Sequence, residues 1–331
     1  MKYNQIHFRR TTRCETVCFG DDRAYPPCWR PSMAGKLAIV KRALMGILLL
    51  LPGLLVAQRI QDEFPVHRET RYFDFHAKRN PQQVAAIAHF ADAFLDIVNR
   101  DFFKADFDYP IHALVLEDKT TFQDYLRTRF HVADPPGFGI YLGEYKLFVT
   151  YEDSGLGTFT HEIMHPLVER NLRDRPLWAL EGIPTFFEKF YGYWTNDQLV
   201  VHWGYQNPWR IDMLGTNLAR LNLDRILALK RSPGDFRESD LRMVSMFLWQ
   251  QGKFKRFLEL IQKNDKAGFG SYFEGAMGAR VQQVLPLWQK YLDDVQARRN
   301  QILQLPASFI CPDEQTYAAF TNRFRIEPGG P

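Results

Sequence analysis

Large apolar and polar residues alternate over RYFDFHA, residues 71 to 77, which is the period of a half-buried strand. Asn80-Pro81 then predicts a helix start, with Asn80 as N-cap. Val84, Ile87, Ala88, Ala91, Phe94, Leu95 and Val98 share one face of the helix that follows. IHALVL at 111 to 116 predicts a buried strand, and residues 120 to 129 a short helix. Residues 139 to 143 and 146 to 151 predict a hairpin turning at Glu144-Tyr145. Asp153-Ser154-Gly155-Leu156-Gly157 breaks this pattern, and Thr158 is the expected N-cap of a helix running from Phe159 to about Asn171. Another helix is expected from Pro176.

From residue 196 onward the apolar residues recur at helical spacing. Val244, Phe247, Leu248, Phe254, Phe257, Leu258 and Ile261 form one stripe, and Val284, Leu287, Trp288, Tyr291, Leu292 and Val295 another. Both read as core packing. Residues 306 to 331 carry four prolines and end in Pro-Gly-Gly-Pro, which predicts an irregular tail. The order of elements is that of an α+β chain: a mixed-sheet domain at 58–195, a mainly helical subdomain at 196–305, and the tail at 306–331.

The first 57 residues differ in character. KLAIVKRALMGILLLLPGLLVA, residues 36 to 57, is a basic flank followed by an apolar run, the layout of a signal peptide with cleavage after Ala57. Export to a periplasmic or secreted location is therefore expected; the alternative is an uncleaved membrane anchor at 43–57. Met33 gives such a leader a conventional start, so residues 1–32 read as an upstream extension. Cys14, Cys18 and Cys28 lie in it, without a histidine or fourth thiolate to complete a zinc site. After cleavage only Cys311 remains, so no internal disulfide is expected. The formal charge is +4, but nine of 42 basic and three of 38 acidic residues precede residue 58, leaving 33 against 35. That near-neutral remainder excludes a nucleic-acid partner, which needs a clustered basic face.

Chemistry concentrates in His161-Glu162-Ile163-Met164-His165. On a helix, residues four apart share a face, so the two imidazoles can hold one ion. Zinc in a catalytic site takes three protein ligands and leaves a fourth position for water, whose pKa it lowers. Glu162 follows the first histidine and can take the proton of that water as it attacks a carbonyl. Downstream, Glu181 stands on the otherwise apolar segment Trp178-Ala179-Leu180-Glu181-Gly182-Ile183-Pro184. A carboxylate there is costly to bury without a partner such as zinc.

Together, Thr160 to His165 and Leu177 to Glu188 resemble the gluzincin zinc metallopeptidases, in particular the bacterial peptidase MA-like group. The likeness extends more weakly over residues 70 to 295, including Gly278-Ala279-Arg280 and Trp288. It implies a zincin-like fold, one zinc ion bound by His161, His165 and Glu181, and Glu162 as general base in peptide hydrolysis. It also implies a peptide or protein substrate, paired along strand 146–151 if that strand is an edge; the alternation of Leu147, Val149 and Tyr151 with Lys146, Phe148 and Thr150 fits a plain core strand equally. Pro166 and Pro184 follow ligands and are expected to bend their helices. His202, Tyr205 and Arg242 are candidate oxyanion stabilisers by residue type alone. His67, His76, His89, His112 and His131 lack partners at ligand spacing and read as ordinary. The rival reading is a non-catalytic envelope protein using the metal structurally or for binding.

Overall fold

Phe73 and Phe75 point to one side of a short strand and meet the apolar face of the helix after it, which builds the first layer of the molecule. The computed structural model describes residues 63–103, 110–172, 176–228, 237–263, 267–324 and 326. The apolar run at 36–57 and the three early cysteines lie outside them. No helix among the described residues is long and apolar enough to cross a membrane. The described residues from Phe64 onward belong to one compact unit.

That unit is mixed α and β. It opens with β1 (Val66–Glu69), β2 (Phe73–Ala77), α1 (Pro81–Asp101), β3 (Ile111–Leu116), α2 (Lys119–Arg129), β4 (Ile140–Leu142) and β5 (Leu147–Tyr151). The five strands make one sheet in the order β1-β2-β3-β5-β4. The inner strands β2, β3 and β5 run parallel, while β1 and β4 are antiparallel edges. Parallel strands are covered on both faces and are apolar throughout, and every residue of β5 is buried. The expected hairpin is therefore present, but β5 is not an edge. β3 and β4 occupy both of its sides, so the free edge beside it belongs to β4.

Two helices follow, α3 (Leu156–Asn171) and α4 (Leu177–Phe187), then a hairpin of β6 (Tyr191–Thr195) and β7 (Gln198–His202). The rest is α5 (Pro208–Leu214), α6 (Leu223–Leu227), α7 (Glu238–Gln250), α8 (Phe254–Lys263), α9 (Phe269–Met277), α10 (Val281–Ala297), α11 (Arg299–Ile302), β8 (Phe309–Cys311) and α12 (Glu314–Phe324). β8 adds parallel to β6, giving a second sheet ordered β7-β6-β8.

Several expectations are corrected. The β6–β7 hairpin spans the anticipated 195/196 boundary, and β8 with α12 gives structure to the tail expected to be irregular. One apolar core runs from Tyr72 to Ile302, so 195/196 does not divide the packing, and across 305/306 Ile310 packs against that core while Ile326 clusters with Tyr191 and Tyr205. Both helical stripes lie in the larger core, apart from Leu287, which is exposed. Helix α3 begins two residues before Thr158, because Gly155 at φ 86° takes a left-handed N-cap that a side chain would resist. Asn80 flanks α1 as expected, but its side chain donates to Glu152 Oε1 at 2.8 Å and does not cap the helix.

Candidate metal centre

Helices α3 and α4 pack closely because small groups meet where they touch. A Cβ on Gly157 would lie 2.6 Å from the Glu188 carbonyl oxygen, so only glycine allows this approach. Beside it, the Thr160 hydroxyl lies 2.9 Å from the Phe187 carbonyl. The contact fixes the motif face of α3 against the face of α4 that carries Glu181.

His161 Nε2 is 3.5 Å from Glu181 Oε2, and His165 Nε2 is 3.9 Å from the same oxygen. Three ligands about 2.1 Å from a tetrahedral zinc stand roughly 3.3 Å apart. The donor set and its spacing therefore fit one divalent ion, and His161, His165 and Glu181 form one of two groups of metal-competent side chains among the described residues. Both histidines are nearly buried, while the Glu181 side chain keeps 26% of its surface. The centre is thus open on the glutamate side.

Glu162 lies next to this triad, with Oε2 3.6 Å from His165 Nε2. The backbone N–H of Tyr141, on edge strand β4, donates to its carboxylate. Gly139, just before β4, leaves it room: a Cβ there would approach Glu162 Cγ to 2.9 Å. Burial pushes the Glu162 carboxyl up to about 8 and the His165 imidazole down to about 4. Burial alone would also lower His161, but the hydrogen bonds it donates to Glu181 and Glu188 outweigh it and raise its pKa. Burial would raise Glu181, yet the two histidines hold it below the usual range. A divalent cation at the triad would favour ionised Glu162 and neutral imidazoles, reversing the two unfavourable states.

The sequence reading assigned no role to Glu188. Its Oε1 pairs with His161 Nδ1 at 2.8 Å, and its Oε2 accepts from Asn207 at 3.0 Å and Arg210 Nε at 2.9 Å. A second Arg210 nitrogen bonds Glu188, and a third bonds Glu238 on α7. Desolvation would raise Glu188, but the Arg210 guanidinium and then His161 hold it well below the carboxylate range. The ionised carboxylate fixes the His161 tautomer, with Nδ1 protonated and Nε2 free for a metal. His165 is oriented similarly, donating to the Leu180 backbone with Tyr141 stacked at 6.0 Å.

The three residues picked by type as oxyanion stabilisers have other partners. His202 stacks on Tyr317 at 5.0 Å, and the Tyr205 hydroxyl pairs with that of Tyr317 at 3.4 Å. Arg242 donates to the carbonyls of Thr185 and Tyr205. Of the histidines expected to be ordinary, His89 stacks on Trp194. His67, His76 and His112 instead gather around Asp74. No protein-family model matches the chain, and no curated protein matches it either.

Proposed function

We propose that the chain is a zinc-dependent peptidase of gluzincin type, carrying one catalytic ion at His161, His165 and Glu181. The observation that carries the reading is the convergence of these three donors, from two helices, beside a buried carboxylate that is not one of them. A zinc ion there would supply a Lewis acid for a peptide carbonyl and lower the pKa of the attacking water. Glu162 takes the proton of that water and returns it to the leaving amine. The Tyr141 N–H and the space left by Gly139 hold Glu162 in position. Glu188, anchored by Arg210 and Asn207, keeps His161 Nε2 aimed at the ion.

The free edge of β4 is the element along which an extended substrate would pair, replacing the expected role of 146–151. The mixed sheet with the motif helix beside its edge supports a zincin-like fold. Export, with cleavage after Ala57, is part of the same reading.

The rival, a non-catalytic protein with a structural ion, has no use for Glu162, since structural zinc sites are closed by four protein ligands. Glu162→Gln decides between them. With a mixed peptide library and zinc-loaded protein, wild type is expected to cleave, and the variant to bind zinc equally while losing at least about a hundredfold in kcat. Equal turnover by both proteins contradicts the role of Glu162. Zinc binding without cleavage in either protein favours the structural ion.

A further inference from the structure

On the far side of the five-stranded sheet from Phe73 and Phe75, three imidazoles surround one carboxylate. The register explains why. In the β1–β2 ladder His67 stands opposite His76, and in the β2–β3 ladder Asp74 stands opposite His112. Side chains alternate across a strand, so Asp74 and His76, two apart on β2, share a face, and their cross-strand partners join them. Phe73, Phe75 and Ala77 point the other way and are buried. Three adjacent strands thus present four donors on one patch, held by a backbone whose ladders are already complete.

The distances are short. His67 Nε2 lies 2.5 Å from Asp74 Oδ1, while His76 Nε2 and His112 Nδ1 each lie 3.0 Å from Oδ2. His67 and His76 stack at 4.8 Å with their planes 16° apart. His76 is almost wholly buried, whereas the His67 side chain is 45% exposed, which leaves a path from solvent.

We propose that His67, Asp74 and His76, with His112 hydrogen-bonded to Asp74 from β3, form a second divalent-cation site of the zinc class, independent of the His161 centre. Two imidazole nitrogens and one carboxylate oxygen make a three-ligand set, and imidazole-rich sites favour zinc, copper or nickel over magnesium or calcium. The present separations suit shared protons. An ion shared by His67, Asp74 and His76 spreads the 2.5 and 3.0 Å histidine–carboxylate separations by less than an ångström, toward the edges of a zinc tetrahedron. With ligands on both strands, the ion ties the four-residue edge strand β1 to β2.

The test is zinc stoichiometry of the full chain by equilibrium dialysis and elemental analysis, with zinc as the only added metal. Wild type is expected to hold two equivalents, and His161→Ala/His165→Ala one. Adding His67→Gln/His112→Gln, at the two more exposed positions, is expected to leave none. Circular dichroism of each variant reports folding. As a second reading, cobalt added to His161→Ala/His165→Ala is expected to give tetrahedral absorption bands that Asp74→Asn abolishes, and zinc to raise its Tm by several degrees. Failure of the peptidase centre alone would appear as one equivalent in wild type, lost on His67→Gln/His112→Gln. A folded His161→Ala/His165→Ala protein that holds no zinc and gives no cobalt bands overturns the second site. So does an ion that persists through the His67 and His112 changes.

Discussion

Glu188 shows how a residue without a motif can control one that has it. Its carboxylate is ionised because Arg210 and Asn207 hold it, and it in turn fixes His161. Glu188→Gln keeps the shape but loses the charge, and is expected to weaken zinc affinity ~10–100-fold while Glu162 stays intact; a competition titration with a chelator measures this. The reasoning that singled out Glu181, a carboxylate in an apolar segment, applies equally to Glu188 in Phe186-Phe187-Glu188. Arg210 had no comparable signal, because its partner lies 22 residues away and only the fold joins them.

Lys189 gives a second prediction at this scale. It is buried, donates to the Pro306 carbonyl and lies 4.6 Å over the Tyr191 ring. Burial, then Arg242, pulls its ammonium down to about 7 from 10.5. Between these values the unfolded chain binds more protons than the folded one, so this residue's contribution to stability rises with pH from 7 to 10.5. Urea midpoints of wild type and Lys189→Met across that window test the sign, and the difference is expected to shift toward wild type as pH rises.

Among the elements, β4 and the α3–α4 contact carry the geometry. Gly139→Ala puts a methyl against Glu162 Cγ at 2.9 Å, so it is expected to lower kcat about tenfold with little change in bound zinc, read by steady-state kinetics and metal analysis. Gly157→Ala meets backbone instead, the Glu188 carbonyl, and is expected to cost ~1–3 kcal/mol of stability and to weaken zinc binding as well. A thermal melt and a zinc titration check both effects. The helices α1, α3, α4 and α10 and the strands β3 and β5 were legible from periodicity, since each buries a well-marked face. The β6–β7 hairpin was not, although YGYWT and QLVVH flank Asn196-Asp197, both of which adopt positive φ, 47° and 59°. The weaker Asn-Asp signal stood where helical spacing was expected to take over. The position of β5 inside the sheet could not be read locally either, because an edge and a centre differ only in what pairs beyond them.

One core runs from Tyr72 to Ile302, and the chain returns late to the candidate metal centre. Ser308 on the returning segment donates to the Glu188 carbonyl at 2.6 Å and accepts from the Phe190 N–H at 3.2 Å. A chain ending at Leu305 loses these bonds, the Lys189 contact and β8. It is expected to melt several degrees lower and to bind zinc more weakly, the more so because Glu188 is no longer held from this side. Four prolines made this segment look irregular, yet Pro306 and Pro312 merely bracket the strand. The grouping of His161, His165 and Glu181 was legible, because two histidines one helical turn apart and a lone carboxylate on an apolar segment carry their own chemical signature.

The central claim is that one ion is shared by two imidazoles and the Glu181 carboxylate, with Glu162 beside it and unligated. Anomalous diffraction from crystals of the zinc-loaded protein, collected above and below the zinc edge, tests this most directly. The account predicts a peak about 2.1 Å from His161 Nε2, His165 Nε2 and a Glu181 oxygen. No peak between α3 and α4 in zinc-loaded crystals, or one coordinated by Glu162 in place of Glu181, would contradict it.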